Sequence, residues 1–234
     1  MLQWKLSLRS PSVASDLGDS ATSSISSISS ISNCRISHGR AHVVFAAACN
    51  SWMMASQFEQ ITDRLQEFIE QQQMFFVATA ARDGRVNVSP KGLDSLRVLS
   101  PNRVVWLNGT GSGNETAAHL LDSPRMTVMF CAFEGKPLIL RLYGTAQSYQ
   151  AGDDEWREHI GRFPPMLGAR NIFDLSVDMV QTSCGFGVPF FQYTEQRPLM
   201  ESWASNKGPE GLAAYQQKTN LVSIDGLPTG LAPV

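Results

Sequence analysis

Gly109, Gly111 and Gly113 fall within "LNGTGSGNETAAHLL" (residues 107–121), between an apolar stretch ending at Leu107 and a run with helical spacing. A glycine-rich strand-to-helix turn leaves backbone N–H groups bare beside the positive end of a helix, which suits an anion and above all a phosphate. Two familiar phosphate motifs are not met. No lysine follows the glycines as G-x-x-x-x-G-K-[ST] requires, and the third glycine of G-x-G-x-x-G is replaced by Asn114 or by Thr116, depending on the starting glycine. What remains is generic: N–H groups near Ser112, Gly113 and Asn114, with the hydroxyls of Ser112 and Thr116. Ser112 and Glu115 also have capping-box spacing, by which a helix satisfies its own first donors. A carboxylate at 115 would moreover repel a phosphate on the same turn. On these residues alone, anion binding and self-capping are both open.

Other reactive types are scattered. Cys34, Cys49, Cys131 and Cys184 form no C-x-x-C pair, so they suggest neither a zinc site nor a disulfide scaffold and read as free thiols in a reducing compartment. Cys184 has no nearby basic residue to lower its pKa and reads as inert. His119 sits among Ala118, Leu120 and Leu121 with no second histidine at metal spacing, and reads as structural. His159 reads as a surface residue and Trp106 as core. No nucleophile or acid–base pair stands out.

These residues need elements to hold them. "SQFEQITDRLQEFIEQQQ" opens with Ser56 and Glu59 in capping-box spacing, and Phe58, Ile61, Leu65, Phe68 and Ile69 recur at helical intervals, which predicts one amphipathic helix from residue 56. "MFFVATA" (74–80) and the alternating "RVNVS" (85–89) predict a hairpin about "RDG". Further strands are predicted at "SLRVL", 103–108, 126–133, 138–149 and 173–183, and short helices at about 113–122 and 153–163, the latter stopped by Pro164 and Pro165. The segment from Pro198 to Asn220 is predicted helical with a break near Gly208. Many antiparallel strands with few helices point to a closed β-barrel with helical decoration.

The chain has 234 residues, 43% of them apolar, and a net charge of −2; with no basic run, nothing points to nucleic acid. Residues 1–54 differ from the rest. "SATSSISSISSISNCRISHGR" is serine-rich and of low complexity, which predicts a disordered extension. Serine-rich, basic and acid-poor is also how an organelle transit peptide reads, and Met53–Met54 offers a later start. The expected compartment is cytoplasmic, or an organelle if that segment is a transit peptide. "VVFAAACNSWMM" is too short to span a bilayer, so no membrane anchor is expected.

The motif order "FFVATAARDGRVNVSPKGLDSLRVLSPNRVVWLNGTGSGNETAAHLLDSPRMTVMFCAFEGKPLILRLYGTAQ" resembles the pyridoxamine 5'-phosphate oxidase-like family, the FMN-binding split barrels, with a likeness covering roughly 56–185. The resemblance implies a six-stranded antiparallel split barrel over residues 55–234, mainly β with helices. It also implies a homodimer with FMN in a groove between subunits. "NVSPKG" sits where the family's second strand delivers a phosphate-binding lysine, which nominates Lys91 with Ser89 beside it. Pro90 would end or bulge that strand and leave Lys91 as a loop lysine. "VVWLNGTGSGNET" nominates Asn108, Ser112, Asn114 and Thr116. "LRLYGTAQ" nominates Arg141 and Gln147; in a barrel whose core face carries Leu138, Leu140 and Leu142, Arg141 must look outward.

One departure separates this chain from true pyridoxamine phosphate oxidases. The Ser-Arg-Lys triplet that opens their helix reads Gly-Asn-Glu here, so two cations are missing and a carboxylate is added. Each lost charge-assisted contact weakens phosphate binding by about 1.5–3 kcal/mol unless something compensates. The family's Arg-x-His segment near the C-terminus is also missing. The resemblance implies an FMN-dependent oxidoreductase acting on an unknown small molecule, and these departures count against the vitamin B6 reaction itself. Its rival is a non-catalytic protein that holds flavin, deazaflavin or haem.

Overall fold

The computed structural model describes residues 55–232; the predicted serine-rich extension lies outside them. Eight strands form one antiparallel sheet among the described residues. In chain order these are β1 (Ser56–Phe58), β2 (Phe75–Thr79), β3 (Asn87–Lys91), β4 (Leu96–Ser100), β5 (Arg103–Gly109), β6 (Arg125–Cys131), β7 (Ile139–Gln150) and β8 (Ala169–Ser183). Their order across the sheet is β3-β2-β6-β7-β8-β5-β4, with β1 added to β8. This is the expected split-barrel class, with eight strands rather than six.

The sheet curls back on itself. β3 is an edge strand and β5 lies near the opposite edge, yet the Lys91 ammonium on β3 donates to Asn108 Oδ1 on β5 at 3.3 Å. Curling of this kind lets a short sheet enclose a core on one face. That core holds Phe75, Val77, Trp106, Val128, Phe130, Leu140, Leu142 and Phe173, closed at one end by Leu65 and Ile69 of α1 (Asp63–Glu70). Trp106 is fully buried, stacked on Phe173 and edge-on to Phe75, so it is core as its strand context implied. A second cluster, Val105, Leu107, Phe163 and Ile172, forms on the other face under α3 (Asp154–His159) and its 3₁₀ continuation Ile160–Arg162.

Several boundaries differ from the sequence reading. Residues 56–58 are strand rather than helix, because Ser56 pairs with Thr182 and Phe58 with Val180 at an otherwise open stretch of β8. The helix starts after Thr62, whose hydroxyl accepts from Leu65 N–H. Pro90 does not end β3: it pairs with Phe76 inside the strand, which an edge strand permits because its outer N–H positions bond to nothing in the sheet. His159 is fully buried beside Arg103 and Arg162 rather than on the surface. The expected hairpin, the outward side of Arg141 and the break at Gly208 are all present, the break lying inside α4 (Leu199–Thr219) with Pro209 opening its second half.

Gly144 shows how tightly β7 and β8 meet. The register slips between Tyr143 and Gly144, and a Cβ at 144 would lie 1.9 Å from the Ser176 carbonyl oxygen. Only glycine fits a bulge with so close an approach. No helix among the described residues is long and apolar enough to cross a membrane.

Candidate functional site

The glycine turn leads from β5 into α2 (Glu115–Asp122) and forms one wall of a cleft of about 660 Å³. β3 supplies the facing wall, and residues 222–224 lie across its mouth. The self-capping alternative is not realised. The helix begins at Glu115 with Asn114 as N-cap, and no side chain caps it, so the first-turn N–H groups keep no side-chain acceptor. Glu115 turns instead toward the C-terminal segment, where both its carboxylate oxygens accept from Ile224 N–H at 3.1 Å. The neighbouring Asp225 is ion-paired with Arg85, and its carboxylate accepts from Arg85 N–H at 2.7 Å.

Six of the eight nominated residues line this cleft: Ser89, Lys91, Asn108, Ser112, Asn114 and Thr116. The hydroxyl of Ser89 donates to Asn87 Oδ1 at 3.1 Å, and Asn87 Nδ2 reaches Thr116 Oγ1 at 3.4 Å, so β3 and α2 are stitched together across the floor. The other two stand elsewhere. Arg141 donates to Ser183 Oγ at 2.9 Å on the outer side of the sheet, and Gln147 accepts from the Tyr149 hydroxyl at 2.5 Å; neither lines the cleft.

Sequence reading missed two residues. Arg170, at the start of β8, is buried and lines the cleft; its guanidinium donates to the Gly113 carbonyl at 3.1 Å, to Asn171 Oδ1 at 3.2 Å and to Asn220 Oδ1. A cation was missing from the helix opening, and a lone arginine leading into the apolar run of β8 was the available signal for its replacement. His119 also lines the cleft. Its Nδ1 lies 3.1 Å from Thr79 Oγ1 while its buried Nε2 has no partner.

The electrostatics are unusual for a buried site. Burial first, and the Arg170 charge second, lower the Lys91 ammonium to about 8. Burial likewise lowers Arg170 to about 10. Every hydrogen-bond acceptor of these two cations is neutral, and among the described residues neither is ion-paired with a carboxylate. Beside them, both polar atoms of the Asn114 side chain are buried without a partner. Two unneutralised cations, orphaned polar atoms and an uncapped helix start are a donor set that an anion completes.

Fold and cleft together define a split-barrel protein with an anion-suited site at the β5–α2 turn. The family model for pyridoxamine 5'-phosphate oxidase matches residues 61–184. The curated pyridoxamine 5'-phosphate oxidase family protein ustO of Aspergillus flavus is 38% identical over 191 residues, covering 73% of this chain and 76% of that protein. The chain belongs to the pyridoxamine 5'-phosphate oxidase family. Among solved structures it is similar to HupZ of Group A Streptococcus, at 22% identity over 51% of this chain and 91% of that one, with a TM-score of 0.41. It is also similar to the haem storage protein HutZ of Vibrio cholerae, at 18% identity over 51% of this chain and 93% of that one, with a TM-score of 0.39.

Proposed function

We propose that the cleft grips the phosphate of FMN and that the chain is an FMN-dependent oxidoreductase acting on a small molecule. One observation carries the reading: Lys91 and Arg170 share a cleft at a helix start, and among the described residues neither is ion-paired, the one carboxylate in the lining, Glu115, being held by the Ile224 N–H instead. A phosphate dianion supplies the missing charge, and the Ser89, Ser112 and Thr116 hydroxyls, the Asn114 amide and the first-turn N–H groups are its neutral donors. Asn108 holds the Lys91 ammonium in place. His119, fixed through Thr79, offers Nε2 from the helix side. Arg170 replaces the charge that the family triplet would have brought, and Glu115 is drawn aside by the Ile224 amide.

Bound flavin supplies the hydride chemistry, while the chain binds and orients it. The family reading has two copies of the chain meeting at the flavin groove. Arg141 and Gln147, which lie outside their own cleft, fit a role toward a partner copy in such a dimer.

The test is the visible spectrum of the purified chain with FMN, before and after NADH or NADPH. A bound yellow chromophore that the nicotinamide bleaches supports the oxidoreductase. A bound flavin that no nicotinamide reduces supports a non-catalytic flavin protein, and a chain that leaves FMN in the dialysate removes both.

A further inference from the structure

A larger chamber of about 1240 Å³ adjoins the anion cleft, with Lys91, Gly111 and Ser112 in the shared wall. Its sides are aromatic. Phe133 and Phe191 pack at 5.4 Å between ring centroids, joined by the Phe191 N–H donating to the Phe133 carbonyl at 3.0 Å. Trp203 and Tyr215 meet edge-on at 5.1 Å, with the Lys207 ammonium 5.3 and 5.0 Å from their ring centres. Phe191, Trp203 and Tyr215 all lie beyond the family match, which ends at residue 184. Lys91, Gly111, Ser112 and Phe133 of the same lining lie inside it.

The added wall is tied to the glycine turn. Gln216 Nε2 donates to Thr110 Oγ1 at 2.7 Å, and Asn220 Nδ2 donates to the Gly111 carbonyl at 3.0 Å. A wall fixed in this way holds its rings at a set distance from whatever the cleft contains. Phe191 is 60% exposed and Tyr193 45%, while Trp203 and Tyr215 are half-buried. Aromatic surface left open beside a polar site marks a place where something binds. The charged side chains lining the chamber balance, two cations (Lys91, Arg197) against two carboxylates (Glu134, Glu195), and Gln71, Gln192 and Gln196 add neutral hydrogen-bonding groups. Such walls favour flat rings with uncharged polar substituents over an ion.

We propose that this chamber is the substrate site, and that the substrate is a planar aromatic compound with neutral hydroxyl or carbonyl substituents, held by Phe191, Trp203 and Tyr215 next to Lys91. The assignment rests on the flavin reading, in which the flavin ring extends from the gripped phosphate past the shared wall to the chamber.

The test is equilibrium dialysis of FMN-loaded chain with 2-naphthol and with its saturated analogue decahydro-2-naphthol. The chain is expected to bind 2-naphthol at least tenfold more tightly than the saturated alcohol. Trp203→Ala and the exposed-site variant Phe191→Ser should each reduce 2-naphthol affinity at least fivefold while FMN affinity stays within twofold. Equal binding of both alcohols, or variants that bind 2-naphthol as the parent does, overturns the chamber assignment and leaves the flavin reading intact. A matching loss of FMN affinity in Trp203→Ala would mean that the chamber holds the flavin itself, which also overturns it. So would a change in sedimentation with Phe191→Ser and no change in 2-naphthol binding, which would make the aromatic face a contact between copies.

Discussion

Lys91 on β3 and Arg170 on β8 are separated in the sheet by β2, β6 and β7, yet the curl of the barrel brings them into one cleft where the charge of each falls on the other. Burying two cations together without a counter-ion costs stability, and such an arrangement persists when binding recovers the cost. Lys91→Ala and Arg170→Gln should each weaken FMN binding by about 1.5–3 kcal/mol, roughly ten- to a hundredfold. Titration calorimetry checks this. Riboflavin, which lacks the phosphate, should bind both variants as it binds the parent.

The lowered Lys91 pKa gives the cleft a pH signature. FMN binding is strengthened by the ammonium, so affinity should hold up to about pH 8 and then fall toward that of Lys91→Ala as the free protein loses that proton, by up to about tenfold per pH unit. For the ligand-free chain the sign is opposite. Between about 8 and 10.5 the folded state binds fewer protons at Lys91 than the unfolded chain, so this group's contribution to stability rises with pH there. Lys91→Met should flatten both trends, read from fluorescence titrations and from urea midpoints across pH 7–10.

Glu115 sits at a helix N-terminus, where a carboxylate stabilises the helix but opposes a bound phosphate. Glu115→Gln keeps an oxygen for the Ile224 N–H and removes the charge. It should tighten FMN binding several-fold while lowering thermal stability by an amount corresponding to about 0.3–1 kcal/mol. A paired measurement of Kd and Tm checks the opposed signs.

At Gly144 the constraint is steric, since a methyl would meet the Ser176 carbonyl at 1.9 Å. Gly144→Ala should destabilise the fold by about 3 kcal/mol through displacement of β7 from β8. Chemical denaturation of the variant provides the number.

The legible and illegible parts of this molecule divide along local and non-local lines. Alternation in "RVNVS" and in "LILRLYG" is a local signal, and both segments formed strands. On β7 Leu140 and Leu142 face the core, while in the first segment Val86 and Val88 are exposed and Asn87, Ser89 and Lys91 of β3 face the cleft. Lys91, Ser89 and the residues of the glycine turn were reachable through motif order because they lie on two neighbouring stretches of chain. Arg170 was not, because it reaches the glycine turn through the pairing of β8 with β5, a non-local contact between residues 57 apart in the chain. The helical reading at 56–58 failed for a related reason: Phe58 fits the helical stripe, but an open stretch of β8 offered Ser56–Phe58 a ladder that local spacing does not encode. His159 read as a surface residue because the sequence offers it no partner at metal or catalytic spacing, while the packing of α3 on β5 and β8 buries it beside Arg103.

The central claim is that this cleft recognises phosphate, and the most direct measurement compares the dissociation constants of FMN and riboflavin on the intact chain at pH 7. If Lys91, Arg170 and the α2 start grip the phosphate, FMN binds at least a hundredfold more tightly, about 2.7 kcal/mol. Equal affinities for the two flavins would contradict the account.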